Sequence, residues 1–375
     1  MSLVTVKRFR QMLLVTMTIA TAISPVSALD LSTEFVIELK ESDRVLGELE
    51  GNFLLYRKPD ITMYNVRGNK LFTKKLKNNV RPVVSPNGKY VALVTFADHS
   101  PTDLKTASFE MYDQAGRQQW KMSQPAPNEF MIADNGAIFG IEGVKGIPPT
   151  RIHLYDQYGN LRNILTLKEY HGISISSSGG KLVIDRAAAG LDVYDSLGNL
   201  LVTLPAATDN VIDRDDRYIG TFFQGKFCLY QDEKEVKTIK SSEISLRDLA
   251  LNVKQNLLLL MAPKRLEVFE LTTGRLLWEY RLLESGEWFT RVDLSDDGRL
   301  IACGVDINRG SEVPKDQRHV EGYVYLFPIS GQSMYKHKET YKIWGADMPR
   351  AVLSPTGGSF MLLTQERLQK FKLAP

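Results

Sequence analysis

From about residue 46 onward, apolar and polar positions alternate in short runs rather than in helical stripes. "SFEMY" (Ser108–Tyr112) and "RIHLY" (Arg151–Tyr155) place every second side chain on one face, as half-buried strands do. The runs end in a common turn. It reads "MYDQAGR" from Met111, "LYDQYGN" from Leu154, "VYDSLGN" from Val193 and, more loosely, "MYNVRGN" from Met63. The tyrosine closes a strand, the Asp or Asn can accept turn amides, and the glycine tolerates the positive φ of a hairpin. A second strand follows each time, as in "RQQWKM", "NLRNILTL" and "NLLVTLP".

A different turn precedes this one. "VVSPNGKYVALV" from Val83, "VDLSDDGRLIACG" from Val292 and "AVLSPTGGSFMLL" from Ala351 each join a short strand to an apolar one. "FMIADNGAIFGI" from Phe130 and "ISISSSGGKLVI" from Ile173 are variants. The two turns together define units of four antiparallel strands, at 46–75, 81–122, 128–168, 171–204, 209–240, 246–283 and 289–336, with an incomplete unit at 349–373. Tyr64, Tyr112, Tyr155, Tyr194, Tyr230, Phe269 and Phe327 mark corresponding positions, 36 to 58 residues apart. That repeat length and strand count predict an all-β propeller.

At repeat level the chain resembles two propeller families. "SPNGKYVALV" and "SDDGRLIACG" resemble the inner hairpin of WD-type repeats. "LTTGRLLWEYRL" (Leu271–Leu282) and "DQAGRQQWKM" resemble the glycine-then-tryptophan strand of quinoprotein-like repeats. The Gly-His and Trp-Asp signatures of WD repeats are missing, which favours the quinoprotein-like side. Trp120 and Trp278 fall in those strands and are expected to pack between blades. The last unit lacks a fourth strand, and "EFVIELK" (Glu34–Lys40) is unassigned. Pairing 34–40 with 367–373 closes a ring of eight blades and hides an exposed edge. If the weak first unit fails to form a blade, the number is seven.

The first 28 residues are a different material. Lys7, Arg8 and Arg10 precede an uncharged apolar stretch, Met12–Val26, and Val26-Ser27-Ala28 supplies the small residues of a cleavage site. The expected organisation is a signal peptide at 1–28 and one propeller domain at 29–375, in an extracytoplasmic protein, periplasmic or secreted. Removing those three basic residues from 47 Lys plus Arg leaves them equal to the 44 Asp plus Glu. A neutral body gives no electrostatic case for nucleic acid, and no later stretch is long and apolar enough for stable membrane insertion. Cys228 and Cys303 sit in apolar strands of different units, and read as unpaired buried residues.

Candidate chemistry is sparse. His99, His171, His319 and His337 map toward the loop-rich side but are spread over the second, fourth and seventh units without metal-ligand spacing, so no metal is expected. A quinone-dependent enzyme of the resembling family would bring adjacent paired cysteines, which this chain lacks, so no cofactor is expected either. "DRDDR" (Asp213–Arg217) fits a turn with its own Arg partners better than a calcium loop. The long connections at 96–107, 142–150, 306–322 and 339–348 all leave the same face. The favoured reading is therefore a non-enzymatic docking module for a protein or polysaccharide partner. Trp288, Trp344, Tyr341, Arg318, His319 and His171 are its candidate contacts. The alternative is a hydrolase or lyase acting on an extracellular polymer in the central groove.

Overall fold

The computed structural model describes residues 31–373 apart from 41–42, 48–50, 78, 97–105, 124–126, 128, 145–146, 169, 214, 285, 308–318, 332–334, 343–349, 355–356 and 365–366. The expected signal peptide at 1–28 thus lies outside the described residues. The strands form eight four-stranded antiparallel sheets, seven of them continuous meanders in the chain. These are blade 1 (44–75), blade 2 (80–122), blade 3 (129–167), blade 4 (172–204), blade 5 (209–240), blade 6 (248–281) and blade 7 (287–342). In blade 8 the strands of 350–373 are completed by Leu31–Glu38 from the other end of the chain. The number is eight rather than seven, because the weak first unit forms a blade of its own.

Closure follows the expected pairing with small shifts in extent. Leu31–Glu38 runs antiparallel to Arg367–Leu373, from Leu31 opposite Leu373 to Glu38 opposite Arg367, with a bulge between Thr33 and Phe35. Lys370 reaches back to this strand, 2.8 Å from the Glu34 carboxylate. Two expectations about loops are corrected. The supposed excursion at 142–150 is largely strand, since Ile138–Val144 and Ile147–Tyr155 pair as far as Val144 opposite Ile147. A bulge at Gly143 (φ +126°) absorbs the irregularity, so the hairpin continues past Pro148 and Pro149. Likewise, the outer strand of blade 7 runs Tyr335–Lys342 rather than stopping at 336, because the third strand, His319–Pro328, extends alongside it.

No single core exists. Eight buried clusters among the described residues each join two consecutive blades. Ala92, Phe109 and Met111 of blade 2 pack on Phe130, Ile138 and Tyr155 of blade 3. Leu266 and Val268 of blade 6 pack on Phe289, Tyr325 and Phe327 of blade 7. Phe53 of blade 1 packs on Val352, Met361 and Leu368 of blade 8, which completes the circuit. Both faces of each sheet are therefore buried against neighbours.

The repeated turn has a second use. At each one, the outer strand of the preceding blade rests a side chain against the turn glycine. A Cβ on Gly159 would lie 2.9 Å from the Trp120 ring, and one on Gly331 would lie 2.6 Å from Trp278. Both glycines also have positive φ, +81° and +67°, so the position excludes other residues twice over. The indole N–H of Trp120 donates to the Gln157 carbonyl (2.8 Å), and that of Trp278 donates to the Ile329 carbonyl (2.7 Å). The expected packing role of these tryptophans is met. Phe35 of the closing strand does the same to Gly68 of blade 1. Cys228 and Cys303 are buried and unpaired, in blades 5 and 7.

Removing residues 29–38 should therefore expose two blade edges at once, along Arg367–Leu373 and above Gly68. A fall in thermal midpoint clearly larger than that of a single clasp variant, Gly331→Ala, is expected by calorimetry. For Gly331→Ala alone the loss should be about 2 kcal/mol, from strain plus displacement of the indole. An N-terminal truncation with an unchanged midpoint would refute the closure.

Candidate functional site

Strand order gives the disc two unlike faces. The turns joining first to second and third to fourth strands emerge on one side. Those joining second to third strands emerge on the other side, together with the connections between blades.

The turn face is internally bonded. The Asp156 carboxylate accepts the amides of Tyr158 and Asn160, both at 2.9 Å, and Asp113 and Asp195 do the same in their turns. Asn65 accepts the corresponding amides of Arg67 and Asn69. Neighbouring turns are also tied to one another. The Asn87 amide donates to the Asp134 carboxylate (2.7 Å), the Asp134 amide donates to the Ser177 carbonyl (2.7 Å), and the Asn252 side chain donates to the Asp296 carbonyl (3.1 Å). In "DRDDR", Asp216 is held by the Ser178 hydroxyl of the preceding blade, and Arg217 lies over the Tyr218 ring. The acidic turn is thus stitched to its neighbour blade, a partner that the sequence reading did not supply.

The inner part of the ring carries polar groups toward both faces. Toward the turn face, blades 5–7 surround a cavity of about 610 Å³, with Asp213, Asp215, Arg217, Lys254 and Asp296 on its wall. Toward the connection face, burial pushes the carboxyls of Asp209, Asp248 and Asp306 above the usual range; for Asp209 the nearby Asp248 charge adds to this. Asp248 also accepts the amides of Leu249 (3.0 Å) and of Val292 on the next blade (3.1 Å), so it joins blade 6 to blade 7. Asp293 accepts the Leu353 amide (2.6 Å) and joins blade 7 to blade 8. Among the described residues no three His, Cys, Asp or Glu side chains converge as a metal site would require, and no helix is long and apolar enough to cross a membrane.

The connection face carries exposed apolar side chains in three successive blades. Phe223 ends the second strand of blade 5, and Ile244, 77% exposed, lies on the connection into blade 6. Leu283, 92% exposed, lies on the connection into blade 7, and Trp288 opens that blade's inner strand at 40% exposure. Lys264 stands 5.0 Å from the Trp288 ring centre and donates to the Glu284 carbonyl, which fixes the indole's surroundings. The sequence reading found Trp288 and missed Phe223, Ile244 and Leu283. The only signal for these was an apolar residue interrupting a polar connection.

The other candidate contacts fall in several places. His171 precedes the inner strand of blade 4, where its amide donates to the Asp185 carbonyl (2.7 Å). His319 and Tyr341 lie on the third and outer strands of blade 7, His319 opposite Lys342 and Tyr341 opposite Val320. Arg318 and Trp344 lie outside the described residues, as does His99. His337 lies within a strand, its ring 5.0 Å from that of Phe371 in blade 8, rather than among the loops of the face. The structure brings His319 and Tyr341 onto one blade with Trp288, and leaves His171 three blades away.

No protein-family model and no curated protein matches the chain by sequence. By structure it is similar to the C-terminal WD40 domain of Sif2, with a TM-score of 0.61 at 9% identity, covering 93% of this chain and 99% of that one. It is also similar to BamB from Moraxella catarrhalis, with a TM-score of 0.55 at 12% identity, covering 92% and 100%. KlHsv2 with a loop replaced gives 0.52 at 13% identity, covering 80% and 99%. At such identities the likeness concerns the fold. It matches the WD-type and quinoprotein-like resemblance of the repeats.

The turn chemistry carries a pH signature. Partial burial pushes the Asp156 carboxyl up, but the side chain and amide of Asn160, the amide of Tyr158 and Arg162 together outweigh it and hold the group at about 2. A lowered carboxyl stabilises the fold above its unfolded value, near 3.8, and loses that contribution as pH falls toward 2. Asp156→Asn should keep the turn, as Asn65 does, and flatten the loss of stability across that acid range. Asp156→Ala should cost about 1 kcal/mol at neutral pH. Denaturant melts at a series of pH values measure both, and equal acid sensitivity in wild type and Asp156→Asn would contradict the assignment.

Proposed function

We propose that this protein is an exported, non-enzymatic docking module that binds a protein partner through the connection face of blades 5–7. The observation that carries this reading is the group of exposed apolar side chains on that face: Phe223, Ile244, Leu283 and Trp288. Aromatic and aliphatic anchors on and beside the connections between blades suit macromolecular recognition, and Lys264 next to Trp288 supplies a polar border. His319 and Tyr341 lie on strands of the same blade, Arg318 and Trp344 adjoin those strands in sequence as further candidate contacts, and His171 would serve a partner wide enough to cross the disc.

The leader-like residues 1–28 support export to an extracytoplasmic compartment, and the neutral remainder supports a partner other than nucleic acid. A polysaccharide ligand would use the same aromatic residues by stacking. The alternative, a hydrolase or lyase working in the central groove, rests on Asp209, which opens the inner strand of blade 5 and whose carboxyl is pushed up by burial. Polymer turnover abolished by Asp209→Asn or His319→Ala would replace the docking reading with this one.

The test is capture from the extracytoplasmic fraction by the purified chain, followed by titration with the partner so identified. Trp288→Ala and Leu283→Ser should each weaken binding without altering the thermal midpoint. Loss of one buried aromatic anchor is worth about 2 kcal/mol, roughly thirtyfold in affinity. Affinity unchanged by both, but lost on substituting Arg67 or Lys89 of the turn face, would place the site on the wrong side.

A further inference from the structure

A second surface lies on the rim, away from the connection face. Every propeller blade ends in an outer strand whose outward N–H and C=O groups lack a neighbour, and such edges invite pairing unless charged residues guard them. Seven of the eight outer strands carry that guard: Glu34 and Glu38 in blade 8, Lys70, Lys74 and Lys75 in blade 1, Lys121 in blade 2, Arg162 in blade 3, and several charges in each of blades 5, 6 and 7. The outer strand of blade 4, Leu200–Leu204, reads LLVTL and has none.

Its surroundings are apolar as well. Leu200 is 55% exposed and Leu201 42%, on opposite faces of the strand, and Leu197 in the adjoining turn is 58% exposed. That turn sits on the outer strand of blade 3, where the Asn163 side chain donates to the Leu197 carbonyl (2.8 Å), and Leu161 and Tyr158 of blade 3 are also exposed. The patch therefore spans two blades around one unguarded edge.

We infer that this edge pairs with its own copy, so that two chains join blade 4 to blade 4 in one continuous antiparallel sheet. A two-fold axis through Val202 places Leu200 opposite Leu204 and Leu201 opposite Thr203, which leaves no charge facing an apolar residue. A charged strand would leave its Lys or Glu against leucine without a counter-ion; the neutral, β-branched and leucine-rich strand that fits is the one this chain itself presents. Leu197 and Leu161 flank the axis on both sides and extend the buried area beyond the strand pair. The connection faces stay free, so the pairing is independent of the docking surface.

Sedimentation velocity of the purified protein across a dilution series tests this. A monomer–dimer equilibrium is expected, weakened at least about tenfold by Leu201→Lys and by Leu200→Lys with circular dichroism unchanged. Val236→Lys, which adds the same charge to the exposed outer strand of blade 5, should leave the equilibrium as it is. Hydrogen exchange supplies a readout free of mutation: the amides of Leu200–Leu204 should slow as concentration rises. A monomer at every concentration overturns the proposal, as does a dimer insensitive to Leu201→Lys or equally weakened by Val236→Lys.

Discussion

The structure depends on one repeated contact, the seating of an outer-strand side chain on the turn glycine of the next blade. A propeller has no shared centre, so each blade is stable only as far as its two neighbours hold it. Trp120 on Gly159, Trp278 on Gly331, Phe72 on Gly116 and Phe35 on Gly68 perform this holding at the rim. The apolar slabs between sheets perform it closer to the channel. Because Phe35 arrives from the N-terminal strand, the same contact that links blades also locks the ring shut. Phe35 and the strand that carries it are therefore among the most consequential packing residues.

This geometry also separates the two faces in kind. On the turn side, polar groups are consumed within turns and between adjacent turns, as with Asp156, Asp134 and Asn252. On the connection side the polar contacts differ from blade to blade, as where the Ser241 and Ser242 hydroxyls donate to Glu267, and it is there that Leu283 and Ile244 remain uncovered. A rigid ring thus supplies a fixed base for a surface free to vary, which is how loops on a stable scaffold come to carry recognition.

Much of the architecture was readable from the sequence because its signals are local. The Tyr-Asp-x-x-Gly turns, the Asn-Gly and Asp-Gly hairpins and the alternation of "RIHLY" each occupy a few residues, and their recurrence identified the blades within a few positions. The unpaired "EFVIELK" was legible because the last unit lacked a strand. What escaped depends on neighbours. Alternation says which residues share a face, but both faces of a blade are buried, so a lone apolar residue in the polar connection "SSEIS" was the one trace of the uncovered Ile244. The continuation of strand through Pro148 and Pro149 depended on a bulge at Gly143, where loop composition argued otherwise. The partner of Asp216 is a serine thirty-eight residues earlier, visible only once blades 4 and 5 are side by side.

The claim that function resides on the connection face is tested most directly by site-specific photocrosslinking in the cells that make the protein. A photoreactive phenylalanine analogue at position 283 replaces a side chain that is 92% exposed, so the fold should tolerate it. The same analogue at exposed Lys89 reports on the turn face. The account predicts one discrete protein adduct from position 283 and none from position 89. A discrete adduct from position 89 with nothing from position 283 would contradict it.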